Sequence, residues 1–162
     1  RNPFPYFTEA MTGYEYPAAV GMLYEGMLDE GLESIRRVRA RYEGRRRNPF
    51  DEAECGPHSA RAMASWAAVL AWTGFRYSAV TRTLTLAPRL GRFFWSSGYG
   101  WGDYPLEGGS NARELTLRLR EGRLDVSRVV LTGFGQARPA PARALAGGDT
   151  LTVRVGHDVG VM

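Results

Sequence analysis

Two spacings of apolar residues divide this chain. In its first half they recur at three and four residues, as on a helix face. After a loop over residues 1–12, Thr12-Gly13-Tyr14-Glu15 has the capping-box pattern, and Pro17 suits the first turn of a helix. Ala19, Met22, Leu23 and Met27 continue that helix on one face. Leu32, Ile35 and Val38 mark a second helix over roughly 29–42, with Glu33, Arg36, Arg37 and Arg41 on its other side. Gly26 and Gly31 bracket the link, so the two helices read as an αα-hairpin. Gly56-Pro57 opens a third helix over about 57–73, which Gly74 closes. Small and apolar residues cover nearly every face of it. A helix apolar all round is buried all round, and three helices with their loops cannot supply that burial. The pattern therefore predicts a segment of a larger helical body.

Beyond Gly74 the period shortens to two. Thr81–Leu86 alternates, Arg92–Trp95 is a short aromatic run, and Leu115, Leu117 and Leu119 share one face of a strand over Glu114–Arg120. Glu121-Gly122 reads as a hairpin turn, with Leu124–Leu131 pairing back. Between these runs, SSGYGWGDYPLEGG reads as a Gly/aromatic loop. A Pro/Ala-rich loop over 136–148 leads to a last strand, Thr150–Val155. The expected tail is a small antiparallel sheet, with the boundary between the helical part, 1–78, and the strand part at residue 79.

Composition narrows the classes. A chain of 162 residues can build a real core. It opens on Arg1 and a Pro-rich stretch, which points to a mature domain or a piece of a longer protein. No apolar run is long enough to span a membrane. All 21 basic residues are Arg, the net charge is +4 and the pI about 9.6. The arginines are dispersed, apart from a cluster over Arg36–Arg47 that reads as a solvated face, so no nucleic-acid partner is expected. Cys55 is the only cysteine, and no signal sequence is visible; both favour a cytoplasmic setting.

Candidate chemistry concentrates in Asn48–Arg61, NPFDEAECGPHSAR. Glu52, Glu54, Cys55 and His58 do not repeat the Cys/His spacing of a structural zinc site, so no metal or other cofactor is expected. Cys55 precedes a helix start, but a Cys–His nucleophile also needs an orienting group and an oxyanion hole, which nothing local supplies. Asp51, Glu52 and Glu54 beside Arg61 suit a neutral polyol, because carboxylates accept from sugar hydroxyls and a guanidinium donates a planar fork. An Arg–Glu ion pair fixing loop to helix accounts for the same residues equally well. Tyr14, Tyr16, Phe50, Trp95, Tyr99 and Trp101 could stack on sugar faces or fill a core. His157 receives no role.

Glu9–Tyr16 (EAMTGYEY), Tyr24–Met27 (YEGM), Asn48–Gly56 (NPFDEAECG), His58 and Ala60–Trp66 (ARAMASW) together resemble glycoside hydrolase family 116, the bile-acid-type β-glucosidase and glucosylceramidase family. The resemblance covers about residues 5–104. It implies the last helices of an (α/α)6 barrel followed by a small antiparallel sheet. It also implies retaining hydrolysis of β-glucosides or β-xylosides by two carboxyl groups through a glycosyl-enzyme intermediate. Both carboxyl groups would lie in an upstream part of the same polypeptide, so no catalytic residue is expected in this chain, which alone should be inactive. By position, Glu52 and Arg61 match sugar-binding residues, and Met11, Thr12 and Glu15 match a segment lining the same pocket. Met11 stands where relatives often carry Trp, Ser59 where they often carry Tyr, and Pro57 where many carry Asp or Asn, which leaves the choice of sugar open. A non-catalytic carbohydrate-binding or scaffold domain is the alternative.

Overall fold

The computed structural model describes residues 11–49 and 62–158. The chain divides into two compact units, Arg1–Trp72 and Thr73–Met162.

In the first unit, α1 (Thr12–Tyr24) and α2 (Leu28–Arg41) form an antiparallel hairpin. Gly26 makes the reversal with a positive φ of 82°. Thr12, Tyr16, Ala19 and Leu23 are the buried seam of α1, and Gly31, Val38 and Tyr42 that of the second arm. A Cβ on Gly31 would lie 2.8 Å from Leu23 Cδ2 and 2.9 Å from the Ala19 carbonyl oxygen, so glycine is what lets the helices approach there. Pro17 sits inside α1, later than the first turn expected of it. A 3₁₀ turn, Ala62–Trp66, packs on α1 and passes into the short α3 (Ala67–Thr73). The all-round burial expected for this segment does not occur within the described residues. Met63 and Trp66 are 65% and 69% exposed, and Val69 and Leu70 also face solvent in part.

Among its described residues the second unit holds nine strands in two sheets. One sheet has the order β1 (Arg76–Ser78), β2 (Thr83–Leu86), β6 (Arg128–Leu131), β7 (Gly135–Ala137). Its β2–β6 pair is parallel, with Leu84 opposite Val129 and Leu86 opposite Leu131. The other sheet runs β3 (Gly91–Ser96), β4 (Gly100–Gly108), β5 (Ala112–Val126). The far edge of β5 is then shared. Its first half pairs with β9 (Thr150–Gly156) and its second half with β8 (Arg143–Ala146). Both sheets feed one core: Leu84, Leu86, Val129 and Leu131 from the first, and Trp95, Leu115, Leu117, Leu119 and Val153 among those from the second. Tyr77 on β1 donates its hydroxyl to the Asp125 carbonyl on β5 at 2.8 Å, tying sheet to sheet.

The expected fold class is overturned. Among the described residues the chain is three helices and two mostly antiparallel sheets of four and five strands, not the end of a helical barrel followed by one small sheet. Three local misreadings underlie the difference. The stretch read as a Gly/aromatic loop contains β4. Glu121-Gly122 is no hairpin: β5 runs on through it, and at Gly122 (φ 95°) a Cβ would come 2.2 Å from the Tyr99 carbonyl oxygen. The segment expected to pair back, Leu124–Leu131, is instead split between β5 and β6, which lie in different sheets.

Candidate functional site

The described part of the expected sugar site lies at the start of α1. Met11 is the cap residue, and its carbonyl accepts from the Tyr14 and Glu15 amides at 3.0 and 3.3 Å. Among the described residues no side-chain cap is made at this helix start, and the capping box read from Thr12 and Glu15 does not form. Thr12 lies within the first turn instead, fully buried, and its Oγ1 has no hydrogen-bond partner among the described residues. Glu15 Oε2 accepts a hydrogen bond from Arg41 Nη2, at the last turn of α2. Each charge sits at the helix end whose dipole favours it, a carboxylate at an N-terminus and a guanidinium at a C-terminus. The two side chains keep 40% and 30% exposure, so the pair contributes no more than about 1 kcal/mol. Arg41 Nε is buried and unpaired among the described residues. Thr12 and Glu15 thus share one turn of α1, and Glu15 joins Arg41 of α2, with donor capacity left on Arg41 and both donor and acceptor capacity on Thr12. Arg41 escaped the sequence reading because its partner lies 26 residues away.

Glu52 and Arg61 lie outside the described residues, as do Asp51, Glu54, Cys55 and His58. Among the described residues no group of three or more His, Cys, Asp or Glu side chains could hold a metal ion. The aromatics proposed to ring the site divide between the units. Tyr16 is buried in the hairpin and Tyr14 is exposed, whereas Trp95 is core of the strand unit and Tyr99 and Trp101 are on its surface. His157 stands edge-on to Phe134, ring centroids 4.9 Å apart.

The structure adds a polar cluster absent from the sequence reading. On β4, Asp103 Oδ2 accepts from Arg118 Nη1 at 2.9 Å, while Oδ1 accepts from Arg120 Nε and Nη2 at 3.0 and 2.9 Å. Arg92 Nε lies 4.0 Å away. Burial alone would raise the Asp103 carboxyl, but the hydrogen bonds and charges of Arg120 and Arg118 outweigh it and hold the group below the ordinary carboxylate range. Strand alternation puts Arg118 and Arg120 on the face of Asp103, and a β-bulge adjoins them. Trp101 pairs with Glu121 and Gly102 with Leu119, which leaves Arg120 as the extra residue. Alternation of Trp101, Asp103 and Glu107 against Tyr104 and Leu106 was the available signal, and the glycines around it hid the strand.

No protein-family model and no curated protein matches this chain. No helix among the described residues is long and apolar enough to cross a membrane.

Proposed function

We propose that this chain is part of a retaining β-glycosidase acting on β-glucosides or β-xylosides, and that its helical unit supplies sugar-binding residues. The observation that carries the reading is the ordered run of motifs from Glu9 to Trp66, with its family 116 resemblance. The Glu15–Arg41 pair, with Thr12 in the same turn of α1 as Glu15, is compatible chemistry for holding hydroxyls. In this reading Glu52 accepts from sugar hydroxyls, Arg61 donates to them, and Met11, Thr12 and Glu15 line the same pocket. The nucleophile and the acid/base belong to an upstream part of the same polypeptide, against which the exposed Met63 and Trp66 would pack. The reading involves no metal, cofactor or nucleic acid.

Two measurements test it. The chain by itself should not turn over an aryl β-glucoside or β-xyloside; turnover would overturn the assignment of catalysis to upstream residues. In the full-length protein, Glu52→Gln and Arg61→Ala should each lower kcat/KM by ~10²-fold or more, the cost of leaving a transition-state hydroxyl unpaired in a buried site. Rates near wild type would make the pair a loop anchor only.

A further inference from the structure

The outer face of the five-stranded sheet carries an arrangement that the glycosidase reading does not use. Phe94 on β3 and Trp101 on β4 lie side by side, ring centroids 6.3 Å apart and tilted by 37°. They keep 53% and 42% exposure, although the strand neighbours Trp95 and Gly102 are buried. Two neighbouring rings on the solvent side of a sheet form one continuous apolar platform. Phe94 is paired with Asp103 and Asp103 with Arg118, so the Asp103 cluster abuts that platform in the same row. Asp103 fixes Arg118 and Arg120 by direct hydrogen bonds, and Arg120 and Arg92 remain 57% and 69% exposed. Planar donors are thus held beside flat rings, with their positions set before any ligand arrives.

Charge decides which ligand fits. The cluster alone is cationic, but along the same face Glu107 is paired with Glu114, and Glu114 with Arg154. Four arginines meet three carboxylates there, which is not the one-signed surface that a phosphodiester or sulfated polymer needs. We propose that this face binds a neutral oligosaccharide, its pyranose rings stacked on Phe94 and Trp101 and its hydroxyls accepting from Arg92 and Arg120. Asp103 acts as a positioning residue for the guanidinium groups. This surface is separate from the residues assigned to the hydrolytic pocket and does not depend on that assignment.

The test is calorimetric titration of the full chain with cellohexaose, laminarihexaose and xylohexaose at about 50 mM and about 500 mM NaCl. At least one hexasaccharide should bind saturably, with an affinity unchanged by salt. Phe94→Ala and Trp101→Ala should each weaken it by ~10-fold or more, and Val80→Ser, at an exposed position outside both sites, should leave it unaltered. In parallel, amide chemical shifts of the wild-type chain should move over residues 92–103 and 118–120, a readout that stands even where a variant does not fold. Absence of binding by all three sugars overturns the proposal. So does binding that survives both aromatic substitutions, or shift changes lying elsewhere. Salt-sensitive binding of heparin or a short oligothymidylate in place of the sugars would reassign the face to polyanions. Loss of sugar binding in Glu52→Gln alone would place the sugar in the helical unit.

Discussion

The two units close their cores alike but leave different apolar residues in solvent. In the strand unit, Leu115, Leu117 and Leu119 meet Leu84, Leu86, Val129 and Leu131 with essentially no exposure. In the helical unit, the seam of Tyr16, Ala19, Leu23, Val38 and Tyr42 is equally closed, yet Tyr14, Met27, Met63 and Trp66 stand out in solvent. A two-layer sheet arrangement hides one face of every strand, whereas a helical hairpin hides only one stripe per helix. Each unit therefore keeps an exposed apolar surface, around Met63 and Trp66 in the first and around Phe94 and Trp101 in the second.

The comparison can be broken most forcefully in the core. Leu117→Ala should cost about 2–5 kcal/mol and strip hydrogen-exchange protection from β4, β5 and β9. Protection in α1 should survive; equal loss in both units would show that they unfold as one body. A smaller effect sharpens the helical side. Gly31→Ala gains roughly 1 kcal/mol of helix propensity but drives a methyl into Leu23 and the Ala19 carbonyl at under 3 Å. Overpacking at about 1–3 kcal/mol should win, lowering the melting temperature of the hairpin. Gly21→Ala, with nothing within 4 Å of its new methyl, should raise it instead. Identical signs for the two would mean that the seam is looser than described. The smallest effect is electrostatic. Because the folded state depresses the Asp103 carboxyl, its contribution is complete above the unfolded value near pH ~4 and is lost as pH falls through the lower folded value. Asp103→Asn should therefore remove stability at neutral pH, by about 1 kcal/mol or less, and flatten the acid limb of a urea-midpoint profile. A mutant profile parallel to wild type would assign that limb to other carboxylates.

Which parts were legible follows from how local their causes are. The alternations Leu115-Leu117-Leu119 and Leu151-Val153-Val155 report a half-buried strand without reference to anything else, and both lie in strands. The helical hairpin is similarly self-announcing. β4 was hidden because Gly100, Gly102, Pro105 and Gly108 are loop residues by composition. Gly102 is needed where a Cβ would come 1.9 Å from the Arg118 carbonyl oxygen, a demand set by a neighbouring strand. The apolar third helix misled in the other direction: its composition calls for burial, but it occupies only a 3₁₀ turn and a seven-residue helix here, with Met63 and Trp66 uncovered. At the candidate site, Thr12 and Glu15 could be picked out by position, whereas Arg41 and the Asp103 cluster depend on pairings across the fold.

The shared edge of β5 has a consequence for how the protein is made. Its residues Ala112–Arg118 find their partners in Thr150–Gly156, and Arg123–Val126 find theirs in Arg143–Ala146. During synthesis β4 and β5 can zip together as soon as they emerge, but one side of β5 must then wait for some thirty further residues. Until β9 leaves the ribosome, the nascent chain carries an open strand edge above an unfinished core, and loop closure over that separation governs the final step. Completion of the strand unit is thus tied to the last stretch of chain described, and premature termination before Thr150 would leave β5 available to pair with another molecule.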